Sequence, residues 1–270
     1  MAISFHDENN KYTYTGRHAD PCWMELIRRL AQPQGKTAAD IGCGGGIYSA
    51  ALAELGASSV VGIDFSEAML QGAAEYCAAY GQIRLAQGTA DRTGLPNDSV
   101  ELVLERALIH HVAAEALPDV FREAGRILKP GGMLIVQDRT PGDCLLPGSR
   151  EHLRGYWFEK YPRLLELEAG RRHDAATIRK ALEGSGFSVV EETQLWEVRK
   201  SYASYSDYRE ELLSRKGRSI LHELSDAELQ DLADGIAAGS GYEMNEPFEE
   251  RDRWTIFCAQ ARCSSASVAL

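Results

Sequence analysis

The chain has 270 residues, 44% of them hydrophobic and 26% charged, which is enough to bury a full core and leaves little room for large-scale disorder. Its formal net charge of −11 offers no basic footprint for a phosphate backbone and argues against nucleic acid as the main partner. Six cysteines without C-x-x-C spacing suggest neither a zinc site nor a disulfide framework; with polar residues 1–10 and no apolar run of roughly 18 residues, they point to a cytoplasmic protein.

Residues 1–18 carry Phe5, Tyr12, Tyr14, Gly16 and Arg17 without a clear period. After Asp20-Pro21, Trp23, Leu26, Ile27 and Leu30 repeat at helical spacing, and the helix ends before Pro33-Gln34-Gly35. A short apolar run from Thr37 then reaches Asp40 and Ile41, four glycines follow at Gly42, Gly44, Gly45 and Gly46, and a helical pattern starts at Tyr48. That order reads as strand, tight turn, helix. Glycine admits positive φ and removes the Cβ atoms that would keep a ligand off the backbone, while the amides opening the helix face whatever lies above the turn.

Two ligand classes use such a turn. The dinucleotide fingerprint G-x-G-x-x-G, counted from Gly42, puts its third glycine on Ile47, so a nicotinamide oxidoreductase is disfavoured at the helix-packing position. What remains is acid-x-Gly-x-Gly-x-Gly, formed by Asp40, Gly42, Gly44 and Gly46. It resembles motif I of the class I S-adenosylmethionine-dependent methyltransferases. The resemblance implies that the loop, including Gly42, Cys43 and Gly44, wraps the methionine part of the cofactor and that Asp40 takes its ammonium group. It also makes Tyr14 and Arg17 candidates for the methionine end, beside the alternative that they staple a loose N-terminus to the core.

Ser59–Asp64 is a β-branched strand ending in an acid about twenty residues beyond the glycines, where nucleoside-binding α/β folds place a carboxylate for the ribose hydroxyls. The stretch from Phe65 to Leu70 is similar to the family's segment after this strand: Ser66 can cap the next helix, and Phe65 and Met69 are candidates to flank the adenine or to serve as core. A third strand at Ile83–Gln87 leads to Gly88, Thr89, Ala90 and Asp91. In the family this loop meets the adenine; Thr89 stands where an acid is common, and Thr89, Ala90 and Asp91 are the candidates here, Asp91 for the exocyclic amine.

The fourth strand, up to Leu104, runs into Glu105-Arg106-Ala107-Leu108-Ile109-His110-His111-Val112, at the sheet edge where ligands of open α/β sheets sit. His110 and His111 are the catalytic candidates, to hold the acceptor or take its proton, against the alternative that they order the loop; Glu105 and Arg106 pair with each other or with the ends of the cofactor. An amphipathic helix at 117–128, the turn Lys129-Pro130-Gly131-Gly132 and a fifth strand at Met133–Asp138 follow. Beyond Thr140 come partly helical residues 141–172, a helix with Ile178, Ala181 and Leu182, a sixth strand at Phe187–Thr193, helical residues 200–245 and a seventh strand at Trp254–Ala261.

The resemblance covers residues 36–138 densely and the last two strands more weakly. It implies an α/β fold: a Rossmann-like seven-stranded sheet, mainly parallel with an antiparallel strand at the edge, helices on both faces and helical insertions forming a cap. The expected organisation is one methyltransferase domain over 1–270, with a cofactor-binding half at 36–140 and a cap drawn from 1–30, 141–172 and 200–248. Trp157, Phe158, Tyr202 and Tyr205 are candidate walls of an acceptor pocket or ordinary packing. The implied reaction moves the methyl group of S-adenosyl-L-methionine to O, N or C of a small-molecule acceptor by in-line displacement, as in the broad group that includes quinone-biosynthesis methyltransferases, and leaves S-adenosyl-L-homocysteine. No metal ligand is expected. A cofactor-binding regulatory protein without turnover is the alternative, since binding serves both.

Overall fold

The computed structural model describes residues 18–215, 217–243 and 245–262. Its strands are β1 (Thr37–Ile41), β2 (Ser59–Asp64), β3 (Ile83–Gln87), β4 (Val100–Arg106), β5 (Leu128–Asp138), β6 (Phe187–Tyr202) and β7 (Phe248–Ala261). They form one seven-stranded sheet in the order β3-β2-β1-β4-β5-β7-β6. Strands β1 to β5 pair in parallel, and β7 runs antiparallel to β5 one place in from the edge. The chain builds outward from β1 in one direction and from β4 in the other, so the strand order reverses between them, the place in open α/β sheets where ligands bind at the carboxyl ends.

The helices are α1 (Pro21–Ala31), α2 (Ile47–Glu54), α3 (Glu67–Tyr76), α4 (Leu117–Ile127), α5 (Pro141–Cys144), α6 (Leu153–Lys160), α7 (Pro162–Gly170), α8 (Ala175–Gly184), α9 (Tyr205–Ser214) and α10 (Asp226–Ser240). Local chemistry sets their starts. Asp20 accepts the Cys22 N–H at 2.7 Å and Pro21 opens α1 without a donor to lose; Ser66 caps α3, and Ser225 and Glu228 form a reciprocal capping box on α10. Helix α4 buries Leu117, Val120, Phe121, Ala124 and Ile127, a helical stripe that packs with Ile178 and Leu182 of α8 on the face of the sheet carrying Ile41, Val103 and Val136. The opposite face meets α1 and α2: Trp23 Nε1 donates to Gln137 Oε1 at 2.7 Å, and Ser49 Oγ donates to Asp40 at 2.6 Å.

The last two strands, like β4 and β5, are longer than the sequence pattern suggests. β6 continues past Thr193 to Tyr202, and β7 starts at Phe248, because the charged run Glu249-Glu250-Arg251-Asp252-Arg253 alternates: Glu250 and Asp252 are buried and Glu249 is exposed. The turn Lys129–Gly132 is a bulge. Val100 pairs with Leu128 and Leu102 with Met133, so the four residues between are skipped, with Gly131 at φ 77°.

The chain divides into two compact units. Among the described residues, the first holds everything up to Asp138, Ala175–Thr193 and the segment from Thr255 onward, and so includes α1. The second holds Arg139–Asp174 and Gln194–Trp254 and has its own core, in which Leu153, Trp157, Leu164, Tyr205, Tyr208, Leu212 and Ile236 are buried. No helix among the described residues is long and apolar enough to cross a membrane.

Candidate functional site

The glycine loop joins β1 to α2 in the first unit. Gly42 and Cys43 both donate to the Ile63 carbonyl, at 2.7 and 2.9 Å, which ties the loop to the end of β2. Two glycines explain why other residues fail here. A Cβ on Gly46 (φ 82°) would lie 2.7 Å from Cys77 Sγ and 3.2 Å from Ala73 Cβ, so this glycine lets α2 start against α3. A Cβ on Gly44 (φ 50°) would meet no atom within 4 Å among the described residues beyond its chain neighbours, so only its left-handed backbone calls for glycine there.

Asp40 and Asp64 stand at the ends of neighbouring strands on one face of the sheet, Asp40 registered with Gly62 and Gly62 alternating with Asp64. Asp40 is 2% exposed. Burial pushes its carboxyl up to about 6, with Asp64 adding to the rise, while the Ser49 hydroxyl and Arg106 pull the other way. Asp64 is fixed by backbone: Gly44 N–H donates to Oδ2 and Ser66 N–H to Oδ1, both at 2.9 Å. Burial raises its carboxyl too, and those amides oppose the rise. The backbone of Phe65 bonds to the same carboxylate, so three amides hold it in its charged form.

Around this carboxylate, Phe65 is 45% exposed, Met69 is buried at the start of α3, and Gly88 N–H donates to the Asp64 carbonyl at 3.1 Å. Thr89 and Arg92 close a small turn through two backbone hydrogen bonds; Ala90 packs on the core and Asp91 is exposed at the turn's tip. The acids and amides expected at the cofactor are thus brought together by β1, β2 and β3.

At the end of β4 the two faces separate. Arg106, registered with Gln137, lies on the Asp40 side, its guanidinium 4.0 Å from the Tyr48 ring centroid, and Tyr48 meets Trp23 edge-on at 4.7 Å. Glu105 is registered with Ile41 and Val136 and shares their apolar face, opposite to Asp40. Both of its carboxyl oxygens are sealed from solvent without a hydrogen-bond partner, and burial pushes the group up to about 8. An ion pair with Arg106 is therefore not what the structure holds: alternation along the strand sends the two side chains to opposite faces.

Ala107, at φ 52°, turns the chain out of the sheet and donates to the Gln137 carbonyl at 2.8 Å. A short 3-10 turn at Ile109–His111 follows. Within it the His110 ring Nδ1 lies 2.8 and 3.1 Å from the two carboxylate oxygens of Asp138, and the His110 backbone N–H donates to Asp138 Oδ2 at 3.2 Å. His111 is exposed, its ring 4.0 Å from that of His110. The Leu108 side chain touches the glycine loop, since a Cβ on Gly42 would lie 3.0 Å from its Cδ1.

Tyr14 and Arg17 lie outside the described residues. Trp157, Phe158, Tyr202 and Tyr205 are all buried in the core of the second unit, where Trp157 Nε1 donates to the Tyr208 hydroxyl at 3.2 Å and the Tyr205 hydroxyl to the Ala233 carbonyl at 2.5 Å. Their bulk is spent on packing. Ser49 and Asp138 bond to candidate site residues, and Gln137 pairs in register with Arg106; the sequence did not single them out. Asp138 carried a readable signal, because β5, like β1 and β2, is an apolar run that reaches an acid at its carboxyl end.

Residues 38–132 match a family model described as a methyltransferase domain. The chain is 31% identical over 138 residues to a demethylmenaquinone methyltransferase of Lysinibacillus sphaericus, an alignment covering 49% of this chain and 56% of the relative. It is 37% identical over 122 residues to a ubiquinone biosynthesis O-methyltransferase of Methylococcus capsulatus, covering 43% and 48%. The chain thus spans about half the length of the curated relatives it matches. Among solved structures, a chain from Anabaena variabilis assigned as a methyltransferase of an antibiotic biosynthesis pathway superposes with a TM-score of 0.65 over 89% of this chain and 98% of its own, at 21% identity, which speaks for the fold alone.

Proposed function

The chain carries a methyltransferase domain of the class I S-adenosylmethionine-dependent kind, and from that premise we propose that it transfers a methyl group to a small-molecule acceptor. The observation that carries this reading is the Gly44 to Asp64 hydrogen bond: one carboxylate is held by the glycine loop itself. Asp64 would take the ribose hydroxyls, the loop from Gly42 to Gly44 the methionine part, and Asp40, charged above about pH 6, would set a negative field for the cationic groups. Phe65, Thr89, Ala90 and Asp91 are the residues we assign to the adenine side; Met69 supports them from within α3.

When bound, S-adenosylmethionine supplies an activated methyl on a sulfonium. The protein's own task is then to align the reacting groups and exclude water, and the buried carboxyl ends of β1, β2 and β4 suit that task. The acidic chain and its relatives' names support a small acceptor over a polymer. The five described cysteines are free thiols, which supports the cytoplasmic location we infer.

Isothermal titration of the full chain with S-adenosylmethionine and with S-adenosylhomocysteine tests the reading. We expect saturable binding of both and, in Asp64→Ala, a loss on the order of 100-fold, the scale of hydrogen bonds to a charged group. Absence of binding to the unsubstituted chain would sink the proposal, and so would undiminished binding in the variant. Labelled-methyl transfer to an acceptor panel separates an enzyme from a cofactor-binding regulator.

A further inference from the structure

The connection between β3 and β4 is carried by the last turns of α4. Glu123 is 9% exposed and Thr93 2%. Glu123 Oε1 accepts the Thr93 backbone N–H at 2.8 Å, the Thr93 hydroxyl at 2.5 Å and Arg126 Nη2 at 2.8 Å, while Oε2 accepts Arg126 Nε at 2.7 Å. The same guanidinium donates to the Leu95 carbonyl at 2.8 Å and to Asn97 Oδ1 at 2.6 Å. Main chain completes the seam: Asp98 N–H donates to the Arg126 carbonyl at 3.0 Å and Ser99 N–H to that of Ile127 at 2.8 Å. Hydrogen bonds from Arg126 hold the Glu123 carboxyl low, at about 2, with Thr93 helping and burial opposing, so the clamp is charged at neutral pH. An ion pair that only steadied the helix would need no third partner, yet this carboxylate is turned onto a residue 30 positions back in the chain.

Thr93 follows a turn closed by two backbone hydrogen bonds, Thr89 N–H to the Arg92 carbonyl at 3.1 Å and Arg92 N–H to that of Thr89 at 3.0 Å, with Ala90 and Asp91 at its tip. The Thr93 carbonyl also abuts the entry to this turn: a Cβ on Gly88 would lie 2.9 Å from it, and Gly88 N–H is itself bonded to the Asp64 carbonyl at 3.1 Å. Where Thr93 is held, both ends of the turn are held. Resting on the methyltransferase reading above, which puts this turn at the adenine, we propose that Glu123 is a positioning residue for the cofactor: through Thr93 it presets the turn Thr89–Arg92 to read the exocyclic amine of the base, and so makes the domain selective for adenine over a 6-oxo purine. A turn ordered in advance avoids the cost of ordering at binding, and only an ordered turn can distinguish an amine from a carbonyl at a fixed place. Arg126 aligns the carboxylate and keeps the segment from Leu95 to Asn97 in step with it. Helix α4 packs on the face of the sheet opposite to Asp40, so Glu123 acts through Thr93.

The probes are S-adenosylhomocysteine and its inosine analogue, in which a carbonyl oxygen replaces the exocyclic amine, each titrated calorimetrically into the full chain. The parent should bind the adenine form at least about tenfold more tightly. Thr93→Val removes the hydroxyl at nearly constant volume, and Glu123→Gln removes the charge that draws Thr93 and Arg126 together. Each should weaken binding of the adenine form and narrow the preference to within about twofold. Thr93→Ser keeps the hydroxyl and should restore the ratio of the parent. A general loss of structure would lower both affinities together and leave their ratio alone. An unchanged ratio in Thr93→Val therefore overturns the inference, as does a parent without preference, or a Thr93→Ser chain that behaves like Thr93→Val. Thermal melts establish that each variant is folded at the titration temperature, and Thr93→Val carries the test should Glu123→Gln fail to fold. Absence of S-adenosylhomocysteine binding to the parent strikes the methyltransferase reading, whereas tight binding with an unchanged ratio strikes only the role of Glu123.

Discussion

Replacing Glu105 by Gln removes a titration from the interior while nearly preserving shape. In the folded chain burial lifts this carboxyl from 4.5 to about 8, and neither oxygen has a hydrogen-bond partner. The folded state therefore binds the proton more tightly than the unfolded chain. The associated stability is complete below about pH 4.5 and drains away as pH rises toward 8. One pKa unit is worth about 1.4 kcal/mol, so between about pH 5.5 and about pH 7.5 the parent should lose about 2–3 kcal/mol through this group. Glutamine does not titrate there. Whatever fixed cost its buried amide brings, Glu105→Gln should lack that slope, and its stability relative to the parent should improve steadily with pH. Urea unfolding followed by tryptophan fluorescence at several pH values measures both slopes. Parallel slopes, within about 1 kcal/mol over the window, would falsify the claim that Glu105 is neutral in the folded chain.

The two loop glycines should fail differently. Gly46→Ala meets a left-handed backbone and Cys77 Sγ at once and should cost about 2–4 kcal/mol in thermal unfolding, whereas Gly44→Ala meets only the backbone term of about 1–2 kcal/mol and should instead weaken S-adenosylhomocysteine binding in titration calorimetry. Equal damage to both properties in both variants would contradict that division. Ser49→Ala removes a hydrogen bond that favours the ionised form, so carbon-13 titration of the Asp40 carboxyl should show it moving above its parent value of about 6. In the second unit, burial opposes ionisation of Glu250, but Arg218 and Arg199 outweigh it and hold the carboxyl low. Glu250→Gln should cost about 3–5 kcal/mol, because Arg218 is left charged and buried, and Arg218→Met in the same chain should recover part of the loss in the melting temperature.

The cofactor side was legible because its chemistry is local. Asp40, the glycines and Asp64 each sit where an apolar strand stops, and both the strand and the stop are visible in a single stretch of chain. Partners chosen by tertiary register were not visible. Glu105 and Arg106 are adjacent in sequence and suggested a pair, yet their faces are set by Ile41, Val136 and Gln137, each far along the chain. The carboxyl half was harder for a different reason: β7 buries Glu250 and Asp252, and a buried charge with a buried partner does not read as strand in any hydropathy pattern. Its aromatics likewise pointed to a pocket when their neighbours in space were one another and the core of a separate unit.

The order of strands also bears on how the chain is made. β7 lies between β5 and β6 in the sheet but follows both in the chain, and it pairs with β5 from Met133 to Asp138. During synthesis at roughly 5–20 residues per second, the apolar edge of β5 has emerged for several seconds before its neighbour exists. Over that interval the edge is an open template for another nascent chain. A chain stopped after Trp254 would keep it open, so polysome-bound or newly released truncated chains should aggregate where full-length chains stay clear. The strand that holds the sheet together is also the one that decides when it is safe from its own kind.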